Sequence, residues 1–139
     1  MRPEDNLKST EDAPVDPVAC WKLIERVAAS SHLNRAPRLR DFLFYVGTKS
    51  LKEGTTAVHE QEIGSVVFGR QRHYDTSQDN IVRVSATELR KRIDAYFISD
   101  GANEPLSFQI PRGGYKPVFR YQKLAPKPAA VEEVEPVSV

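Results

Sequence analysis

Ile81-Val82-Arg83-Val84-Ser85-Ala86-Thr87-Glu88-Leu89-Arg90-Lys91-Arg92-Ile93, followed further on by Ile110-Pro111-Arg112-Gly113-Gly114-Tyr115, decides how this chain folds. Val82, Ala86, Leu89, Ile93 and Phe97 step by four, three, four and four, which places them on one narrow face of a helix over about residues 79 to 98. On the same wheel Val84, Thr87, Glu88 and Lys91 point away from the core, and Arg83 and Arg90 flank one edge of the apolar stripe. Asp100-Gly101 ends the helix. Leu106, Phe108 and Ile110 then alternate with Ser107 and Gln109, the period-two mark of a half-buried strand. Gly113-Gly114 permits a tight turn, and Tyr115 to Tyr121 returns as a second strand, with Pro117 marking it as an edge.

Upstream, Arg70 to Gln78 is too polar and aperiodic for regular structure, and Ser77 or Asp79 is suited to cap the helix that follows. A short helix is predicted over Glu60 to Phe68, with Ile63, Val66 and Val67 inward and Gly69 past its end. Another is predicted from about Ala36-Pro37 to Lys52, with Leu39, Phe42, Leu43, Val46 and Leu51 inward and Gly54 as the stop. Phe44 and Tyr45 fall off that stripe and imply cover on a second side. Between Pro17 and about Ser30, Val18, Trp21, Ile24, Val27 and Ala28 define one more amphipathic helix, with Pro17 in its first turn and Trp21 read as core.

The 139 residues suit one domain, residues 17–122, between two tails, 1–16 and 123–139, whose polar, proline-broken composition predicts disorder. The net charge of +1 gives no general attraction to nucleic acid, so any basic surface is local. Acidic residues in the tails partly mask it. Cys20 is the only cysteine, which excludes an intrachain disulfide and reads as a packed thiol. With no apolar run of spanning length and no signal-peptide core after Met1-Arg2-Pro3-Glu4-Asp5, the expectation is a cytoplasmic protein with no membrane partner. His32, His59 and His73 lack acidic or cysteine partners at ligand spacing, so no metal is expected. Glu60 and Glu62 lie on different faces of a short helix and read as solvated. No serine–histidine–carboxylate order suggests a hydrolase, and no cofactor, small-molecule substrate or enzyme activity is expected.

Helix, loop, helix and then a hairpin with a basic glycine tip is the layout of a winged helix-turn-helix. The predicted class is therefore mainly α (α+β), a helical core with a C-terminal β-hairpin wing and an extra helix at 17–35 including its linker. From about Ala36 to Arg120 the chain also resembles the OmpR/PhoB-type winged-helix DNA-binding domains of bacterial regulators. The landmarks are His59-Glu60-Gln61-Glu62-Ile63, Phe68-Gly69, Tyr74-Asp75, Ile81-Val82-Arg83-Val84, Leu89-Arg90-Lys91-Arg92-Ile93 and Arg112-Gly113-Gly114-Tyr115, in order and at matching spacing. It is most similar to domains of this type at the N-termini of some large bacterial signalling proteins.

The resemblance implies transcriptional regulation through double-stranded DNA. The helix at about 79–98 would lie in the major groove and the hairpin at about 106–120 in the minor groove. It carries Val84 and Thr87 to the bases, the Val84 methyls being suited to a thymine methyl. Arg90 and Lys91 go to phosphates or base edges, and Arg112 to the minor groove. Asn80, Arg83, Ser85, Glu88 and Lys116 complete the expected contact set. Asn80, Thr87 and Glu88 stand where the family often has basic residues, which implies weaker binding by a monomer and a role for a homodimer. The competing reading is a protein-interaction module whose outer helix face meets a protein partner, favoured by Thr87, Glu88 and the low net charge.

Overall fold

The computed structural model describes residues 15–54 and 57–122; the expectations for the two tails before Val15 and after Gln122 lie outside the described residues. Among these residues the chain is mainly helical with one small antiparallel sheet, an α+β arrangement. The elements are α1 (Pro17–Ala29), α2 (Pro37–Gly47), a π-helical turn (Thr48–Lys52), α3 (Glu60–Phe68), α4 (Ile81–Ile98), β1 (Leu106–Gln109) and β2 (Val118–Tyr121).

Local chemistry accounts for the helix ends. Asp16 accepts from the Val18 amide at 3.0 Å, with Pro17 entering the first turn where its missing N–H costs nothing. Of the two capping candidates for α4, Asp79 does the work: its carboxylate accepts from the Ile81 amide at 3.1 Å and from Arg70 Nε at 2.7 Å. The Ser77 amide instead donates to Asp75 at 2.9 Å. Gly69, with φ +71°, closes α3 in the left-handed conformation that glycine adopts without steric penalty.

The core is one cluster in which Leu23 and Ile24 of α1, Phe42 and Leu43 of α2, Ile63 of α3 and Leu89 and Ile93 of α4 are fully buried. Aromatic rings extend it toward the sheet, with Phe97 edge-on to Phe108 at 5.7 Å and Phe108 tilted against its cross-strand partner Phe119 at 5.2 Å.

Several expectations are corrected. In α1 the buried face is Cys20, Leu23, Ile24, Val27 and Ala28, so Val18 is exposed and Trp21 sits half-buried at the rim. Trp21 still packs on Phe44, with Lys52 Nζ 4.0 Å from its ring centre. The regular part of α2 stops at Gly47, and Leu51 is only half-buried in the π turn. In α3, Val66 is 61 % exposed rather than inward. The Tyr74 ring lies over Gly64, which turns the buried face toward Ile63, Gly64 and Val67. In α4 the last buried residue is Tyr96 and not Phe97, because Glu104 holds the Tyr96 hydroxyl at 2.7 Å over the buried Gly101. The strands are joined by residues 110–117, which turn at Arg112-Gly113 with Gly113 at φ +91°, but the return strand begins only at Val118, with Pro117 buried ahead of it instead of inside it.

Candidate functional site

The outward stripe of α4 consists of Asn80, Val84, Thr87 and Lys91, spaced by four, three and four residues and all exposed. Val84 is 56 % exposed, high for a branched apolar side chain. The Thr87 hydroxyl donates to the Arg83 carbonyl at 3.1 Å, which engages it with the backbone of its own helix. Ser85 is half-buried and stands off this stripe.

The arginines of α4 are engaged with the protein. Arg83 donates to the Glu60 carboxylate at 2.6 Å and to the Thr76 carbonyl at 2.9 Å, which joins α4 to α3 and to the loop between them. Arg92 donates to Glu88 at 2.9 Å and to the His32 carbonyl at 3.0 Å, so the acidic charge of Glu88 is neutralised on its own helix. Arg90 donates to the carbonyls of Ile110 at 2.6 Å, Pro111 at 3.2 Å and Gly114 at 3.0 Å. This fork fixes the glycine-containing loop to the helix, a geometry the planar guanidinium can satisfy and an ammonium cannot. Burial first, and then the nearby Arg112 charge, pull the Arg90 guanidinium below its usual range.

Arg112 lies exposed on the loop that Arg90 holds, and with Thr87 and Tyr115 it lines a cleft of about 450 Å³ between α4 and the loop. Lys116 lies exposed on the same loop, and with Val58, His59 and Arg112 it lines a second cleft. Lys91, Arg112 and Lys116 have no ion-pair partner among the described residues. Of the expected contact set, then, Asn80, Val84, Thr87, Lys91 and Arg112 face solvent around one helix and loop. Arg83, Glu88 and Arg90 are tied into the protein.

Two further groupings went unforeseen. Glu60 and Glu62, expected to be solvated, are both partnered, Glu60 by Arg83 and Glu62 by the Tyr45 hydroxyl and by Lys49 at 3.6 Å. Burial works against the charge on Glu62, yet the Tyr45 bond and Lys49 hold its carboxyl below the usual range, while burial and Glu62 push the Tyr45 phenol up. His32 also approaches Ser99 Oγ at 3.1 Å and Asp100 at 3.9 Å. Both contacts use the same nitrogen, Nε2, and Ser99 itself donates to the Ala95 carbonyl at 2.7 Å. A nucleophilic triad needs the two imidazole nitrogens to serve serine and carboxylate separately, so this trio is a clasp between the α1–α2 loop and the end of α4. No local pattern could have signalled it, since His32 and Ser99 are 67 residues apart.

The Cys20 thiol is fully buried, and burial, reinforced by the Asp16 carboxylate, pushes it up to about 11, which makes it a poor nucleophile. Among the described residues no His, Cys, Asp or Glu cluster suited to a metal ion occurs, and no helix is long and apolar enough to cross a membrane. Compared with known protein families, with curated proteins and with solved structures, the chain finds no match in any of the three.

Proposed function

We propose that this chain is a cytoplasmic, sequence-dependent DNA-binding regulator, a winged helix-turn-helix of the OmpR/PhoB type, with α4 in the major groove and the 106–121 hairpin at the neighbouring minor groove. One observation carries the reading. The solvent face of α4 and the Arg112-bearing loop are held side by side as one rigid unit by the three carbonyl bonds of Arg90. A duplex offers an equivalent pair of surfaces, since its major groove accepts a helix and its adjacent minor groove attracts an inserted arginine.

Of the described cations that have no carboxylate partner, Lys91, Arg112 and Lys116 sit around that face and are suited to phosphates. With so few of them, a single copy binds weakly and two copies on repeated half-sites bind usefully. A second reading, a module that docks a protein partner through α4, is favoured by the exposed Val84.

The test is selection from a random duplex library at two salt concentrations. An enriched motif, above all a repeated one, supports the regulator and reports its dimer geometry. Retention without enrichment that disappears as salt rises leaves only a weak phosphate-binding surface and favours the protein partner.

A further inference from the structure

Among the described residues β2 is bonded along one side only. The Gln122 amide donates to the Pro105 carbonyl at 2.9 Å, and from there the register runs from Leu106 opposite Tyr121 to Gln109 opposite Val118. Bonded and unbonded pairs alternate along an antiparallel ladder, so Arg120 is bonded to Ser107 and Val118 to Gln109. The N–H and C=O groups of Phe119 and Tyr121 therefore point away from β1, and no other backbone group among the described residues is bonded to them. An open edge of this kind is a template for one more strand.

The side chains along the edge narrow the occupant. Val118 and Tyr121 are exposed although large and apolar, and Phe119 is half-buried. Arg120 is exposed between them and has no ion-pair partner among the described residues. Asp94 and Arg120 line one groove of about 420 Å³ but do not pair across it. From Pro105 to Gln122 the charged residues are Arg112, Lys116 and Arg120, with no Asp or Glu. A nucleic-acid phosphate fits this edge poorly, because it only accepts hydrogen bonds and the outward carbonyls need donors. A second copy fits poorly as well. The register that pairs Phe119 with Tyr121 across two copies sets two Arg120 side chains directly opposite one another, where like charges destabilise.

We propose that the free edge of β2 docks an extended acidic segment of a protein partner. The segment adds as an antiparallel third strand, with apolar residues opposite Phe119 and Tyr121 and a carboxylate opposite Arg120. That central position is an unbonded pair, in which facing side chains come closest. Neither α4 nor Arg112 takes part, so the docking is independent of what α4 binds.

A displayed library of short random peptides, selected on the full chain, supplies the probe. The enriched peptides carry an acidic residue between two apolar ones. Arg120→Glu weakens the best of them about five- to tenfold and favours the version with lysine in place of the acid. N-methylation of the flanking apolar residues, whose amides face β2, abolishes binding. N-methylation of the acidic residue, whose amide faces away, leaves it unchanged. On the protein, hydrogen exchange at Phe119 and Tyr121 slows when the peptide is added, whereas the Arg120 amide, already bonded to Ser107, keeps its rate.

No enrichment, enrichment of basic peptides, or binding indifferent to the position of the N-methyl group overturns strand addition. Slow exchange at Phe119 and Tyr121 in the chain by itself overturns the separate partner. If the combined changes Glu132→Lys, Glu133→Lys and Glu135→Lys then restore fast exchange, the occupant is a segment of this chain, and if dilution restores it, the occupant is a second copy.

Discussion

The Arg90 guanidinium donates to the Gly114 carbonyl at 3.0 Å, reaching from the middle of α4 to a residue 24 positions further along the chain. Together with its bonds to Ile110 and Pro111, this makes Arg90 the link between helix and loop. Position alone would give the side chain to a phosphate, and its removal would then leave stability nearly unchanged. The carbonyl bonds reverse that expectation. Arg90→Ala lowers stability by about 1.5–3 kcal/mol, the usual size for bonds to a charged donor. Arg90→Lys recovers only a fraction, because an ammonium cannot span the same three acceptors. Chemical denaturation of the two variants checks both statements.

Arg112 is the opposite case. It is exposed and unpaired among the described residues, so Arg112→Ala leaves the denaturation midpoint where it was. If the duplex reading holds, the same change weakens DNA binding across sequences and flattens the plot of log affinity against log salt by about one unit. Lys116→Ala behaves alike, since it too is exposed on the same loop. Titrations of one duplex over a range of salt, set beside melts of the same variants, separate contact residues from Arg90.

What the sequence made legible was local. The bounds of α3, a cap from Ser77 or Asp79, of which Asp79 serves, and most of the α4 stripe follow from spacing and from residue types within one or two turns. What it hid was set by partners remote in the chain. Val66 alternates as a core residue should, but the ring of Tyr74 takes the neighbouring face of α3. Phe97 continues the stripe and packs half-buried on Phe108, while Glu104 holds Tyr96 deeper beside it. At the candidate site, exposure of Val84, Thr87 and Lys91 was readable from the helical wheel. The commitments of Arg83 and Arg90 were not, because four of their five acceptors are backbone carbonyls, which carry no side-chain signature.

The contact between Gly64 and Tyr74 gives a packing test with two opposed terms. Alanine is the better helix former by about 1 kcal/mol. A β-carbon on Gly64, however, would overlap the ring of Tyr74, at 2.5 Å from Cε1. Overpacking of this kind costs about 1–3 kcal/mol, so Gly64→Ala is net destabilising. Because the nearest atoms all belong to Tyr74, the sign changes in a Tyr74→Ala background, where the alanine stabilises α3. A double-mutant cycle by thermal denaturation reads this directly, and equal effects of Gly64→Ala in the two backgrounds would refute it.

Arg26 and Glu104 make the last case, through pH. The guanidinium grips the carboxylate at 2.8 and 2.7 Å, the Tyr96 hydroxyl donates to the same carboxylate at 2.7 Å, and the Glu104 side chain is only 12 % exposed. The Arg26 bond, followed by that of Tyr96, holds the Glu104 carboxyl below its ordinary value of 4.5. A carboxyl depressed by folding stabilises the fold above its unfolded value and loses that contribution as pH falls through the folded value. Glu104→Gln therefore melts lower than the unaltered protein near neutral pH. The gap narrows as the pH falls below the ordinary value of 4.5 and closes only below the depressed folded value, where Glu104 is protonated in both states. Glu62, Asp75 and Asp79 are depressed too, so the absolute stability of both proteins falls in acid and only the difference isolates Glu104. Melts of the pair from neutral pH to about pH 3 make the comparison, and a gap that stays constant or widens in acid would show that the Arg26 contact does not stabilise the fold through charge.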